Sequence, residues 1–165
     1  MYKMRLLLFI GWANSGKSTL IRGISGCATK GFQGFIRDTI RGRSLYVISS
    51  SPQESGISEV EYKNAIQEAY RDGKCRAILL AIQPTDPSIR LSLEDCVRIA
   101  RRQRQFEITA FLIAHPHNED AETPSEENLD TVRNRLINLD IQNIIIIDNR
   151  LLLGENVAKC LGVLL

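Results

Sequence analysis

The residues best suited to chemistry lie near the start of the chain, where positions 11–18 read Gly-Trp-Ala-Asn-Ser-Gly-Lys-Ser. A glycine, four variable residues and then Gly-Lys-Ser is the spacing with which backbone N–H groups surround a polyphosphate. Lys17 would contact the terminal phosphates, and the Ser18 hydroxyl would help to hold Mg²⁺. The segment therefore predicts a site for Mg²⁺ and a nucleoside triphosphate, ATP or GTP. Its predicted nucleotide-binding residues are Gly11, Trp12, Ala13, Asn14, Ser15, Gly16, Lys17, Ser18 and Thr19.

The flanking sequence supports this interpretation over a chance match in a glycine-containing turn. An apolar run, Leu6–Ile10, precedes the segment and predicts a strand. Thr19, Leu20 and Ile21 continue as a helix, whose positive N-terminal end favours a bound anion. The pattern thus occurs in the strand–loop–helix context in which it has a physical meaning.

Composition places the chain among ordinary globular domains. Its 165 residues fit one nucleotide-binding domain spanning 1–165, with 44% hydrophobic and 24% charged residues. A net charge of +2 makes nucleic acid an unlikely partner. No apolar run is long enough for a bilayer, so no membrane partner is expected. The scattered cysteines, Cys27, Cys75, Cys96 and Cys160, indicate reduced thiols and a cytoplasmic location.

Strand and helix patterns alternate along the chain, which predicts an α/β fold with an open, mostly parallel sheet. Residues 35–40 and 44–49 predict an antiparallel hairpin, and residues 50–58 predict a loop. Thr123, Pro124 and Glu126 predict a helix start with Thr123 as its cap. The remaining predicted strands are 76–82, 108–114 and 144–147, which with the first strand and the hairpin make six.

In element order and in the 11–18 motif, the chain resembles the Ras-like small GTPases of the P-loop NTPase superfamily. The resemblance implies a three-layer sandwich around a six-stranded sheet of order 2-3-1-4-5-6, with one antiparallel hairpin strand. It also implies a metal-binding threonine, for which Thr39 is the candidate, and a water-positioning glutamine, for which Gln53 is the candidate beside Lys17 as a catalytic residue. Thr39 as a plain strand residue and Gln53 as a solvated loop residue are the alternatives.

Two family motifs are not matched. Ser49-Ser50-Ser51-Pro52 stands where the family has Asp-x-x-Gly, so the metal-linked aspartate is absent and proline offers no N–H. Residues 114–120 replace the guanine-reading Asn-Lys-x-Asp, and Asn118 and Asp120 are one residue too close together. We therefore expect slow unassisted turnover and no strong preference for GTP over ATP.

Asp148 and an arginine cluster offer further candidates. Four isoleucines before Asp148 imitate a metal-binding strand, but in the implied sheet order this strand lies three places, or roughly 14 Å, from the first. Asp148 is therefore predicted to begin a surface loop. The cluster of arginines is interpreted as complementing a helix dipole, with a phosphate-contacting patch as the alternative. Its members are Arg98, Arg101, Arg102 and Arg104.

Three functions of different classes remain open from the sequence. The leading one is a slow, GTPase-like NTP hydrolase that acts as a nucleotide-dependent switch with an effector or regulatory protein. A small-molecule kinase using ATP is the first alternative, since acidic side chains such as Asp38 could accept a hydroxyl proton. A non-catalytic nucleotide-binding scaffold is the second, favoured by the missing acid at the third strand.

Overall fold

A computed structural model describes residues 3–26, 31–38, 42–116, 121 and 123–164. The strands are β1 Met4–Ile10, β2 Gln33–Asp38, β3 Arg43–Ile48, β4 Cys75–Ile82, β5 Phe106–His115 and β6 Asn143–Asp148. The helices are α1 Lys17–Ser25, α2 Pro52–Ser55, α3 Glu59–Arg71, α4 Leu93–Gln103, α5 Glu126–Asn138 and α6 Leu153–Leu164. The predicted α/β class is confirmed.

The six strands form one sheet in the order β2-β3-β4-β1-β5-β6. The predicted antiparallel hairpin is confirmed, because β2 pairs antiparallel with β3 and the other four pairings are parallel. The predicted order 2-3-1-4-5-6 is wrong, because β4 lies between β3 and β1, and β1 pairs with β4 and β5 instead of β3 and β4. Both orders keep β3 and β4 inside the sheet, so apolar strand patterns alone do not distinguish them.

Helices cover both faces of the sheet, which makes three layers. One core holds alternate β1 side chains such as Leu7 and Phe9 against α1 and α6. The other holds Leu6 and Leu8 against α3, α4 and α5. β1 is therefore apolar on both faces, and every residue from Leu6 to Ile10 is fully buried.

Local hydrogen bonds explain most helix ends. Gly26 closes α1 in the left-handed conformation with φ 72°. α3 and α4 begin with capping boxes, in which Ser92 and Asp95 satisfy each other's backbone N–H groups at α4.

Two predicted boundaries were wrong. Ser125 rather than Thr123 caps α5, and its hydroxyl accepts from Asn128 N. Because Ser125 supplies the acceptor two residues later, Pro124 precedes the cap instead of occupying the first turn. The predicted loop 50–58 contains the short helix α2, which Pro52 begins with its φ already fixed.

Within the ranges that the structure describes, no helix combines the length and apolar character needed to cross a membrane.

Candidate functional site

The residues of the 11–18 segment connect β1 to α1 at the carboxyl edge of the parallel strands. Gly11 N donates to Ile82 O at 3.1 Å, which ties the start of the segment to the end of β4. Ligands of open α/β sheets bind at this edge, because the loops leaving neighbouring strands meet there.

The backbone of the segment presents N–H groups at the start of α1. Asn14 and Gly16 adopt positive φ values of 59° and 95°, and α1 has no side-chain cap. The bond from Leu20 N to Gly16 O, at 3.0 Å, opens the helical series. The three N–H groups before Leu20, those of Lys17, Ser18 and Thr19, therefore have no intrahelical acceptor, as at any helix start. This uncapped end is suited to an anion.

Gly11 and Ser15 determine how tightly the segment curls. A side chain at position 11 would place its Cβ 2.3 Å from Ser15 Oγ, so glycine is required for this close approach. The Ser15 residue is only 4% exposed, and its hydroxyl has no hydrogen-bond partner among the described residues. Such a buried polar atom needs an explanation, and a bound ligand would provide one.

Lys17 folds back over the segment instead of extending into solvent. It is 4% exposed, and its Nζ donates to Trp12 O at 2.9 Å. The nearest carboxylate is that of Glu54, whose Oε1 lies 3.9 Å from Nζ. Burial lowers the pKa of the Lys17 ammonium, and the Glu54 charge opposes part of that effect. The Lys17 ammonium has one carbonyl acceptor and one carboxylate 3.9 Å away, so a closer anion would stabilise its charged form.

Ser18 and Glu54 carry oxygen groups beside Lys17, one as its neighbour in sequence and the other across 3.9 Å. Ser18 Oγ donates to Ser49 O at 2.8 Å, beyond the end of β3. In the part of the chain that is described, no three His, Cys, Asp or Glu side chains converge to hold a metal ion alone. Mg²⁺ usually binds one or two carboxylates together with substrate phosphates and water. A hydroxyl and a single carboxylate fit that manner of binding.

A hydrogen-bonded chain links Glu54 to the loop before α4. Gln83 Nε2 donates to Glu54 Oε1 at 3.1 Å, and Gln83 N donates to Gln53 Oε1 at 3.2 Å. Gln53 Nε2 in turn donates to Leu91 O at 2.6 Å. Both ends of the Gln53 amide are therefore engaged, and Glu54 rather than Gln53 faces Lys17. The catalytic role of Gln53 stays a prediction.

The end of β6 contacts the other side of the segment. Asn149 is 6% exposed, and its Nδ2 donates to Ser15 O at 2.6 Å. Asn156 of α6 supports this turn by donating from Nδ2 to Asp148 O at 2.9 Å. Asn149, the residue after Asp148, is thus the one that contacts the segment from the end of β6.

Asp148 itself turns to Arg150, whose Nη2 lies 2.7 Å from its Oδ2. This bond, with the backbone N–H of the same arginine, lowers the pKa of Asp148 to about 2. The distance expected between β6 and β1 needs correction, because only β5 separates them. Two places correspond to roughly 10 Å instead of 14 Å.

A small cleft adjoins the segment between α1 and the turn after β6. Gly16 and Thr19 form one side, and Leu151, Leu153 and Asn156 form the other. The Asn156 residue is 1% exposed, and its Oδ1 has no hydrogen-bond partner among the described residues. The cleft therefore combines apolar walls with a buried acceptor.

Several predicted residues lie outside the described ranges. They are the metal candidate Thr39, the guanine-register residues Asn118 and Asp120, and Cys27. Asp38 is the last residue of β2. The other three cysteines are buried free thiols, as predicted for reduced cysteines, and burial raises the pKa of Cys96 to about 12.

Sequence reasoning missed the contacts that Glu54, Gln83 and Asn149 make around the segment. Asn149 contacts a residue 134 positions away. No local pattern marks such a contact. Glu54 had a weak signal, because an acid soon after the third strand lies at the correct edge of the sheet.

Comparison with known proteins leaves the family undetermined. No protein-family model matches the chain, and no curated protein matches its sequence significantly.

Proposed function

We propose that the chain binds a nucleoside triphosphate with Mg²⁺ at the 11–18 segment and hydrolyses it slowly, so that nucleotide occupancy acts as a switch. The observation that carries this proposal is the uncapped start of α1 with the Lys17 ammonium folded over it, 2.9 Å from Trp12 O. The segment then offers both backbone N–H groups and a buried cation. That combination favours a polyanion over a neutral ligand.

The residues of the segment divide the work of binding. The N–H groups at the start of α1 would bind phosphate oxygens, and Lys17 would exchange the Trp12 carbonyl for the terminal phosphates. Ser18 would turn its hydroxyl from Ser49 O to Mg²⁺, which neutralises phosphate charge when bound. Glu54, next to Lys17, would supply a carboxylate to the metal.

The cleft beside Thr19 is the proposed position of the base. Leu151 and Leu153 provide apolar contact, and Asn156 Oδ1 provides one acceptor for an amino group of the base. Since adenine and guanine both carry an exocyclic amino group, one acceptor gives little discrimination. A preference of less than about a hundredfold between GTP and ATP follows.

Slow turnover follows from the groups around Glu54. β3 is followed by Ser49, whose Oγ donates to Phe32 O at 3.1 Å and which offers no carboxylate. Gln53 would have to release Leu91 and Gln83 before it could orient a water molecule. An NTPase with these constraints would depend on a conformational change or a partner to turn over quickly.

Trp12 provides a direct test, because it is the single tryptophan of the chain and lies inside the segment. Its fluorescence should change saturably on titration with Mg·ATP and with Mg·GTP. Slow release of phosphate without any acceptor would support hydrolysis, whereas turnover that requires an added acceptor would favour a kinase. If neither nucleotide binds at millimolar concentration, the proposal is wrong.

A further inference from the structure

A groove separate from the 11–18 segment lies between the α2–α3 connection and α4. Its floor is apolar, with Ile57 half-buried and Leu91 and Ile99 only 6% and 5% exposed. Its rim carries Arg90, Arg98 and Arg102, all exposed. Arg98 and Arg102 are four residues apart on α4, so they lie on one face of the helix.

The groove is lined by three arginines and two acids, and each of the two acids has a hydrogen-bond or ion-pair partner of its own. Within the described ranges the three arginines make no ion pair or hydrogen bond. Glu59 pairs with Lys63 at 2.8 Å, and Asp95 accepts from Ser92 N at 3.2 Å. The pKa of Glu59 is lowered first by Lys63 and further by Arg90 and Arg102, as expected in a positive local field.

We infer that this groove binds an acidic amphipathic segment of a partner protein. Apolar side chains of that segment would cover Ile57, Leu91 and Ile99, and its carboxylates would pair with the arginine rim. Charge complementarity selects the occupant, because arginine forms bidentate bonds with carboxylates. Leu91 has a positive φ of 53°, which is strained for leucine, and such strain often occurs at binding sites.

The groove is joined to the 11–18 segment through α2. Pro52 of this four-residue helix lines the groove, while Glu54 of the same helix lies 3.9 Å from Lys17 Nζ. Gln53 connects Leu91 O to Gln83, which holds Glu54. A segment bound against Pro52 and Leu91 would therefore shift Glu54 relative to Lys17. This coupling rests on the proposed function, whereas docking does not.

Docking is tested with a fluorescein-labelled amphipathic peptide rich in glutamate and leucine, and with its glutamine counterpart, by fluorescence anisotropy on the whole chain. The glutamate peptide should bind, its affinity should fall with added salt, and Arg98→Glu with Arg102→Glu should weaken it on the order of tenfold or more. Arg43→Glu with Lys159→Glu makes the same change in net charge at exposed sites outside the groove. This matched control should retain binding. Unfolding curves check that both double variants fold.

Equal loss of affinity in both double variants, or equal binding of the glutamine peptide, overturns the docking proposal. The coupling is tested by Mg·ATP titration with and without bound peptide, where a shift of about threefold or more is expected. Gln53→Leu should abolish that shift while leaving peptide affinity intact. An unchanged nucleotide affinity overturns the coupling alone. Absence of nucleotide binding removes the proposed function and the coupling together and leaves the docking result standing.

Discussion

The two sides of the 11–18 segment are held by different chemistry. On the β6 side, Asn149 is buried and donates to Ser15 O at 2.6 Å, and Asn156 supports it from α6. On the β4 side, Lys17 faces Glu54 across 3.9 Å, and the Glu54 side chain is 40% exposed. Neutral, buried hydrogen bonds have fixed geometry and are costly to break. The Lys17–Glu54 pair is long and open to solvent at Glu54, so it is weaker and can rearrange.

This difference indicates which side can respond to a ligand. In the proposed function, the Asn149 side would keep the shape of the segment with and without phosphate. On the Glu54 side, a ligand charge would compete directly with a carboxylate for Lys17. We therefore expect substitutions at Lys17 to affect binding, those at Asn149 to affect folding, and those at Glu54 to affect the dependence on Mg²⁺.

The largest effect is expected from Lys17→Met, which keeps most of the side-chain volume and removes the ammonium. Triphosphate affinity should fall about thirtyfold or more, since a charge-assisted contact of about 2 kcal/mol is lost. Trp12 fluorescence titration measures the loss. Lys74→Met, at an exposed lysine before β4, is the control and should bind like the parent. Parent-like affinity in Lys17→Met would remove the basis of the nucleotide site.

The same variant separates binding from stability through its pH dependence. Burial lowers the pKa of Lys17 below 10.5, so the unfolded chain holds more protons between the folded and unfolded pKa values. The parent should therefore gain stability as pH rises through that window, and Lys17→Met should lack this gain. Denaturant unfolding of both proteins from neutral to alkaline pH measures the difference. Parallel curves for the two proteins would count against the burial of the ammonium.

Asn149→Leu should destabilise the fold by about 2 kcal/mol, because the buried Ser15 carbonyl loses its donor and Asn156 loses a partner. Asn143→Leu, at an exposed position on β6, the strand that precedes Asn149, should change stability by less than about 0.5 kcal/mol. Urea midpoints at constant slope measure both. If Asn149→Leu left the free energy of unfolding unchanged, the β6 side would not fix the segment, and the contrast between the two sides would disappear.

Glu54→Gln should leave the free energy of unfolding within about 0.5 kcal/mol of the parent, because the Glu54 side chain is 40% exposed and its carboxylate lies 3.9 Å from Lys17 Nζ. Its effect should lie in the ratio of nucleotide affinities with and without Mg²⁺, which we expect to fall about fivefold. Glu155→Gln, at an exposed acid in the first turn of α6, is a matched control. An unchanged ratio would place Glu54 outside the metal site and leave it as a partner of Lys17 and Gln83.

The parts of the fold that could be predicted are those encoded over a few residues. The Ser92 capping box and the Gly26 end of α1 follow from side chains and backbone freedom within one turn. The predicted strand order was wrong, because β3, β4 and β5 are all apolar enough to lie beside β1. The start of α5 was misplaced because Thr123 and Ser125 are both competent caps, and only one of them accepts the Asn128 N–H.

The candidate site likewise has a local part, which could be predicted, and a long-range part, which could not. The 11–18 segment is local, so its residue types suggested a phosphate-binding conformation directly. The residues that hold it come from distant parts of the chain: Asn149 is 134 positions from Ser15, and Gln83 is 29 from Glu54. Nothing near these positions in sequence indicates what they contact, because long-range pairing depends on the strand order.

The smallest effect is expected from Asp148→Asn, at the residue whose preceding isoleucines imitate a metal-binding strand. Asp148 is held by Arg150, and Asn149 takes the position nearest the segment. Mg²⁺-dependent nucleotide affinity should therefore stay within about 0.5 kcal/mol of the parent.

The folded pKa of Asp148, about 2, lies below the unfolded value near 3.8. The stabilisation by Asp148 is therefore fully present above about pH 4 and is lost as pH falls toward 2. Asp148→Asn should flatten that acid limb slightly, as acid unfolding monitored by circular dichroism would show. A large loss of Mg²⁺-dependent binding would instead mean that β6 contributes a metal ligand, and the side of the segment assigned to fixed, neutral contacts would be the charged one.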